Sequence, residues 1–289
     1  MSLIPTTRRG FLRLAAATGV AALAAESMLL EPNHPQIVRR EISLRRWPAR
    51  LDGFTIALLS DFHYDPHFSV HPLKAAVGMV NGLRPDLIVL TGDFVSVPLI
   101  RSHKAPGAAA AEPCAQLLRQ MQASHGLWAV LGNHDFYTDP HRVTEALRGV
   151  GIHVLANQSV PFERDGARFW LSGIKDVIGG EANLDVTLQP VPPDEATILL
   201  AHEPDYADYA ARFSIDLQLS GHSHGGQVRI PLIRPLYLPD LAKKYVLGLY
   251  NIGALTLYTT SGLGTVVLPV RWNCPPEITL LTLRRSANS

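Results

Sequence analysis

Five short apolar runs, each followed by a residue able to hold a metal ion, constrain this chain more than any other feature. Phe54–Leu59 leads into Ser60-Asp61, Leu87–Leu90 into Thr91-Gly92-Asp93, and Leu127–Leu131 into Gly132-Asn133. Further on, Thr197–Leu200 leads to Ala201-His202, and Leu217–Leu219 to Ser220-Gly221-His222. Short apolar runs bounded by turn residues read as strands buried on both faces. In α/β sheets the ligand crevice lies at the carboxyl ends of the strands. Five separate loops are therefore expected to deliver oxygen and nitrogen ligands to one place.

The spacing around these residues sharpens the expectation. Asp61-Phe62-His63 and His222-Ser223-His224 each place two ligands at i and i+2, which lets both side chains turn to one side just after a strand. Gly132-Asn133-His134-Asp135 offers a neutral oxygen with an imidazole beside it. Asp-x-His alone is a weak signal, whereas Gly-Asn-His-Asp and Gly-His-Ser-His are specific, and all of them in this order, with a lone His202, are strong.

The rest of the chain alternates strands and helices in its first half, which argues α/β. Val38–Trp47 reads as an edge strand and His71–Leu83 as a helix broken by Pro85-Asp86. Residues 98–113, with Pro98, Pro106, Gly107 and Pro113, read as a surface loop or insertion. Cys114–Ala123 and Pro140–Gly149 read as helices, and Val154-Leu155 begins a short strand. Val160–Glu163 and Arg168–Gly173 form a hairpin around Asp165-Gly166. Leu255–Thr260 and Ile278–Leu283 are strand-like, and the strand-rich second half argues a second sheet packed on the first. No internal repeat is visible.

The N-terminus is set apart from the fold. Thr7-Arg8-Arg9-Gly10-Phe11-Leu12-Arg13 is a twin-arginine export signature, followed by the apolar stretch Leu14–Ala25 and a small-x-small cleavage site at Ala22-Leu23-Ala24. The apolar stretch reads as short for a bilayer span, and no later span is expected. The expected organisation is a signal peptide over 1–25, a polar lead-in with a possible edge strand over 26–52, and one domain over 53–285. Without the signal's three arginines, 23 basic residues stand against 25 acidic ones. That balance predicts no nucleic-acid partner. Two cysteines, Cys114 and Cys274, are too few for a disulfide framework; they read as small buried residues, and neither lies near the motifs in sequence. Asp65 and His67 read as loop residues, and histidines 34, 71, 103, 125, 141 and 153 as solvated or core side chains. Residues 228–250 mix Ile230, Leu232, Ile233, Leu236, Tyr237 and Leu238 with prolines and basic residues; a loop folded over the second sheet and a peripheral membrane contact are both open there.

In residue order, these motifs over roughly residues 55–225 resemble the calcineurin-like metallophosphoesterases. The extension Gly221-His222-Ser223-His224-Gly225-Gly226-Gln227 is similar to the exported or membrane-associated bacterial subgroup. The resemblance implies a four-layer α-β-β-α sandwich of two packed mixed sheets with the site at the carboxyl ends of strands. It implies two divalent ions (Mn, Zn or Fe), one held by Asp61, His63, Asp93 and His224, the other by Asp93, Asn133, His202 and His222. Asp93 and a hydroxide bridge them, while His134 contacts the phosphate and protonates the leaving group. One departure stands out: many relatives have Gly after Asp-x-His, where this chain has Tyr64. The implied function is hydrolysis of a phosphoester, lipid-linked in one reading, on an envelope substrate outside the inner membrane after passage through the twin-arginine machinery. Two alternatives stay open: an enzyme like the UDP-diacylglucosamine pyrophosphate hydrolases of lipid A synthesis, and a non-catalytic metal-binding envelope protein.

Overall fold

Period-two alternation explains why the strands read as unbroken apolar runs. In β2 (Thr55–Leu59), Ile56 and Leu58 face one hydrophobic layer while Ala57 and Leu59 face another. In β3 (Leu87–Leu90), Leu87 and Val89 join the first layer, Ile88 and Leu90 the second. A strand covered on both sides leaves no polar position in its pattern. The computed structural model describes residues 7–97, 107–235 and 237–286.

Two six-stranded mixed sheets result. The first has the order β1 (Gln36–Leu44), β12 (Glu277–Arg285), β2, β3, β4 (Leu127–Ala129) and β5 (His153–Val154). The second has the order β10 (Gly248–Ile252), β11 (Leu255–Thr259), β9 (Leu217–Ser220), β8 (Thr197–Leu200), β7 (Ala167–Gly173) and β6 (Gln158–Arg164). Strands β2 to β5 run parallel, as do β7, β8, β9 and β11. Between the sheets lie Trp47, Phe54, Leu58, Val89, Phe169, Leu171, Ile198, Leu219 and Leu281. Helices Val70–Leu83, Ala111–Leu118 and Pro140–Gly149 cover the outer face of the first sheet. Short helices Leu184–Leu188 and Ala207–Ala210 cover the second. The expected four-layer α-β-β-α sandwich is therefore present.

Several local expectations need correction. Ile278–Leu283 does not join the second sheet: as part of β12 it enters the first, parallel to β1 and antiparallel to β2. A strand's pattern records burial, not which sheet buries it. The helix expected over Cys114–Ala123 starts at Ala111 and ends at Leu118, because Pro113 sits in a first turn that needs no proline N–H. It takes in part of the segment expected to be loop; residues 98–106 of that segment and His103 lie outside the described residues, as does Leu236. The expected edge strand is β1, shifted to Gln36–Leu44. The hairpin turns at Asp165 (φ 55°) and Gly166 (φ 71°), the left-handed pair that a two-residue turn requires. Strand β10 and the two short outer helices have no counterpart in the expectations.

The N-terminal lead-in also differs. The helix Arg8–Ala25 continues through a wider turn at Glu26–Leu30 into a tight turn at Glu31–Asn33, since Met28, Leu29 and Leu30 prolong it and no breaker precedes Pro32. The stretch that read as too short for a bilayer thus belongs to a 26-residue helix, Arg8–Asn33, with an 18-residue window of mean hydropathy 1.4, long and apolar enough to cross a membrane by length and composition. Cys114 and Cys274 are buried free thiols.

Phe169 is the centre of the aromatic packing between the sheets, with ring centroids 5.0 Å from Trp47, 5.3 Å from Phe54 and 5.1 Å from Phe162. Phe169→Ala is expected to cost about 3–5 kcal/mol, measured as a lowered denaturant midpoint at constant metal content.

Candidate metal centre

Each strand end turns sharply to present its ligand. Asp61 (φ 54°), His63 (φ 41°), Asp93 (φ 56°), His222 (φ 67°) and His224 (φ 51°) all have left-handed backbone. That conformation is uncommon outside glycine and costs of order 1–2 kcal/mol per residue. Five of the seven expected ligands adopt it, so the surrounding packing must hold them there. In the two i, i+2 pairs it is how both side chains reach the same side of the loop.

Six of the seven expected ligands converge. Nε2 atoms of His63 and His224 lie 3.0 Å apart, and Asp61 Oδ1 is 3.4 Å from His224 Nε2. Asp93 Oδ2 lies 3.5 Å from His63 Nε2 and 3.2 Å from His202 Nε2, between two ligand groups. One group is Asp61, His63 and His224; the other is Asp93, His202 and His222. Asn133 opens the helix Asn133–Thr138 beside them, and its Oδ1 is buried without a hydrogen-bond partner. A buried amide oxygen without a partner beside converging imidazole nitrogens and carboxylates is a donor set that a cation would satisfy, so the residues fit a metal.

Partners behind the imidazoles fix which nitrogen faces inward. His202 Nδ1 donates to the Thr91 carbonyl at 2.6 Å, which leaves Nε2 facing Asp93. His222 Nε2 donates to the Asp240 carbonyl at 2.8 Å and leaves Nδ1 inward. His63 Nδ1 is 3.1 Å from Ser96 Oγ. His134 reverses the pattern: its Nδ1 accepts from the Val97 N–H at 2.9 Å, so a neutral ring carries its proton on Nε2. His134 stands within ligand distance of His63 and Asp93 but is only partly buried.

Burial drives the titration of the cluster. It pushes His63 and His222 down to about 3, so both imidazoles are neutral at pH 7 and able to bind a cation. Burial alone would raise Asp93, yet the charge and hydrogen bond of His202 hold it well below the usual carboxylate range. Asp61 rises to about 6 through burial.

Four contributors escaped the sequence reading. Asp135 is fully buried; one carboxylate oxygen accepts from Phe94 and Val95 N–H and the other from Gly132 N–H, which ties the β3 and β4 loops together. Burial and Asp93 push its carboxyl up to about 8, against N–H donors that favour the ionised form. Arg271, also fully buried, donates to the carbonyls of Ser261, Gly262, Gly264 and Cys274. This holds a loop that presses on Asp61: a Cβ on Gly262 (φ 70°) would lie 2.6 Å from the Asp61 Cβ. Cys274, remote from the motifs in sequence, donates its thiol to the His224 carbonyl at 3.3 Å. Ser96 completes the set through His63. Asp135 left a local signal, as the last residue of Gly-Asn-His-Asp, and Ser96 follows Asp93 by three residues, whereas Arg271 and Cys274 come from distant segments. Asp65 caps its own turn by accepting from His67 and Phe68 N–H, in keeping with a loop residue.

Gly221 has no room for a side chain, since a Cβ there would collide with Ser60 Oγ and Asp61 Oδ2. Gly221→Ala is expected to displace Asp61 and lower the metal content per chain, measured by atomic emission on the purified protein, with the far-ultraviolet dichroism unchanged. Full metal content in the variant would show that Asp61 is not fixed by this contact.

A family model described as calcineurin-like phosphoesterase matches residues 54–226. Among relatives, an uncharacterized metallophosphoesterase of Bacillus subtilis is 32% identical over 287 residues, covering 96% of this chain and 98% of its own. A phosphodiesterase of Escherichia coli is 31% identical over 284 residues, covering 96% and 99%. A transmembrane protein with metallophosphoesterase domain from Danio rerio is 33% identical over 280 residues, covering 92% of this chain and 61% of its own. With its ligand groups assembled at the strand ends and these likenesses along nearly its whole length, the chain belongs to the calcineurin-like phosphoesterase family and is a metallophosphoesterase.

Proposed function

We propose that this enzyme hydrolyses a phosphodiester on a cell-envelope substrate with two divalent ions, Mn, Zn or Fe. The observation that carries the reading is Asp93 Oδ2 lying between the His63–His224 and His202 groups. Asp61, His63, Asp93 and His224 would hold one ion, and Asp93, Asn133, His202 and His222 the other. Bound there, the pair would neutralise the phosphoester and supply a hydroxide nucleophile at neutral pH.

The chain's own groups set the remaining chemistry. The Val97 N–H keeps the His134 proton on Nε2, on the ring edge away from the backbone. His134 therefore donates to a phosphoryl oxygen and passes its proton to the departing alkoxide. Thr91, Asp240 and Ser96 keep the ligand imidazoles from rotating, and such outer partners are worth 10- to 100-fold in metal affinity. A nucleotide-linked lipid is the second substrate reading, supported by the exposed apolar residues after His224. The complete ligand set speaks against a non-catalytic role.

We place the enzyme outside the inner membrane, exported by the twin-arginine route. Arg8, Arg9 and Arg13 lie at the front of the apolar helix, and positive flanks stay on the cytoplasmic side. Removal of the expected signal peptide, residues 1–25, would leave Ser27 and Glu31, which the domain grips: the Ser27 carbonyl accepts from Arg271 N–H, and Glu31 accepts from Asn273 and Cys274 N–H.

Chelation is expected to abolish hydrolysis of an aryl phosphodiester, with Mn or Zn restoring it. Asp93→Ala is expected to lose metal and activity together, whereas His134→Ala keeps its metal and loses roughly 10²- to 10⁴-fold in kcat; a full rate in His134→Ala rules out its acid role. Replacing Arg8 and Arg9 by lysine is expected to retain the protein in the cytoplasm, read by cell fractionation.

A further inference from the structure

Two loops hang from the ligand shell and carry five of the eleven large apolar side chains that the described residues expose beyond the N-terminal helix. The first leaves the site at Gln227, three residues after His224, and returns at Asp240, whose carbonyl holds His222. It presents Leu232 at 107% exposure, Ile233 at 57% and Tyr237 at 67%. The second leaves at Gly264, whose N–H donates to the Asp61 carbonyl, and returns at the buried Arg271. It presents Val267 at 65% and Leu268 at 62%. Among the described residues beyond the N-terminal helix, no other pair of loops exposes a comparable group: the remaining exposed large apolar side chains, such as Phe68, Val186 and Tyr209, are scattered over separate elements. Single exposed apolar residues are ordinary, but a contiguous group signals a contact surface.

Hydrogen bonds tie the bases of the two loops together. Gln227 Nε2 donates to the carbonyls of Val266 and Leu268, its Oε1 accepts from the Val266 N–H, and Arg229 N–H donates to the Trp272 carbonyl. The end of the N-terminal helix is tied to the second loop's base, since its Ser27 carbonyl accepts from Arg271 N–H and Glu31 caps Asn273. Met28, Leu29 and Leu30, exposed at that helix end, extend the apolar group toward a helix long enough to cross a bilayer. Arg234, exposed beside Ile233, adds a positive charge of the kind that sits at a lipid headgroup.

We propose that Leu232, Ile233, Tyr237, Val267 and Leu268 form a rim that inserts into the bilayer surface, so that the metal centre faces the headgroup layer. The occupant is the bilayer itself: the second loop's base is hydrogen-bonded to the end of Arg8–Asn33, the one helix among the described residues long and apolar enough to cross it, and the exposed apolar side chains rise from loops rooted at polar metal ligands, the amphipathic arrangement of interfacial segments. Resting on the phosphoesterase reading above, the rim specifies the substrate class as a phosphoester borne on a membrane lipid, delivered laterally to a site rooted in the same loops.

The test measures depth in the membrane and is independent of hydrolysis, so its failure is distinct from failure of the proposed activity. Leu232→Cys and Val267→Cys, each labelled with an environment-sensitive fluorophore, are placed in the full-length protein in nanodiscs of phosphatidylcholine and phosphatidylglycerol. Asp165→Cys, on the remote hairpin turn, is the control. Nitroxide on the lipid acyl chains is expected to quench both rim probes at least threefold more than the control. Equal quenching at all three positions overturns the proposal. A blue shift without acyl-chain quenching, which burial against a second copy of the chain would give, overturns it too.

Discussion

The structure depends on one buried carboxylate placed between two groups of imidazoles. Asp93 is held from its backbone side by the His134 N–H, which donates to Oδ1 at 2.8 Å, and that leaves Oδ2 to face His63 and His202. A carboxylate at 1% exposure is costly unless cationic or hydrogen-bonded groups surround it. The chain meets that demand by bringing β3, β4 and the loops after β2 and β8 to the same point. The order of strands in both sheets follows from the requirement that β2 and β3 of one sheet and β8 and β9 of the other end near each other, across the inter-sheet layer.

How much of this was legible in the sequence depended on whether the signal was local. Asp61, Asp93, Asn133, His202 and His222 could be read because each follows a short apolar run that reports a buried strand, and His63 and His224 because each stands two residues beyond one of them. The alternation of those strands with helices argued α/β with a second packed sheet, and the four-layer arrangement was what the family resemblance implied. β12 was misplaced because Ile278–Leu283 has the same pattern whichever sheet receives it; the choice is made by pairing with Ile56 and Leu58 across the sheet, which no local pattern encodes. The continuation of the first helix to Leu30 was missed because Glu26 and Ser27 look like the start of a polar linker, while backbone bonding carries the helix past them.

Arg271, Cys274 and Asp240 were invisible for a different reason. None resembles a ligand or a catalytic group, and each acts on backbone or through backbone. Arg271 orders carbonyls, Cys274 touches the His224 carbonyl, and Asp240 contributes a carbonyl that any residue would have supplied. Left-handed backbone at five of the seven ligands shows why such support is needed, since the ligand loops sit in conformations they would not choose alone. The site is therefore a property of the closed domain more than of its motifs.

The position of β12 has a consequence for how the molecule comes into being. The last strand of the chain fills a place inside the first sheet, between the first strand and β2. Until a ribosome has released residues 277–285, β1 has no partner and β2 exposes an open edge. Gly262, Gly264 and Arg271, which brace Asp61, are also late in synthesis. Contacts between such distant parts of a chain form slowly. The ligands of β2 and β3 are therefore synthesised before the segments that brace them, and the compartment in which this sheet closes is the one whose metal pool the enzyme first meets.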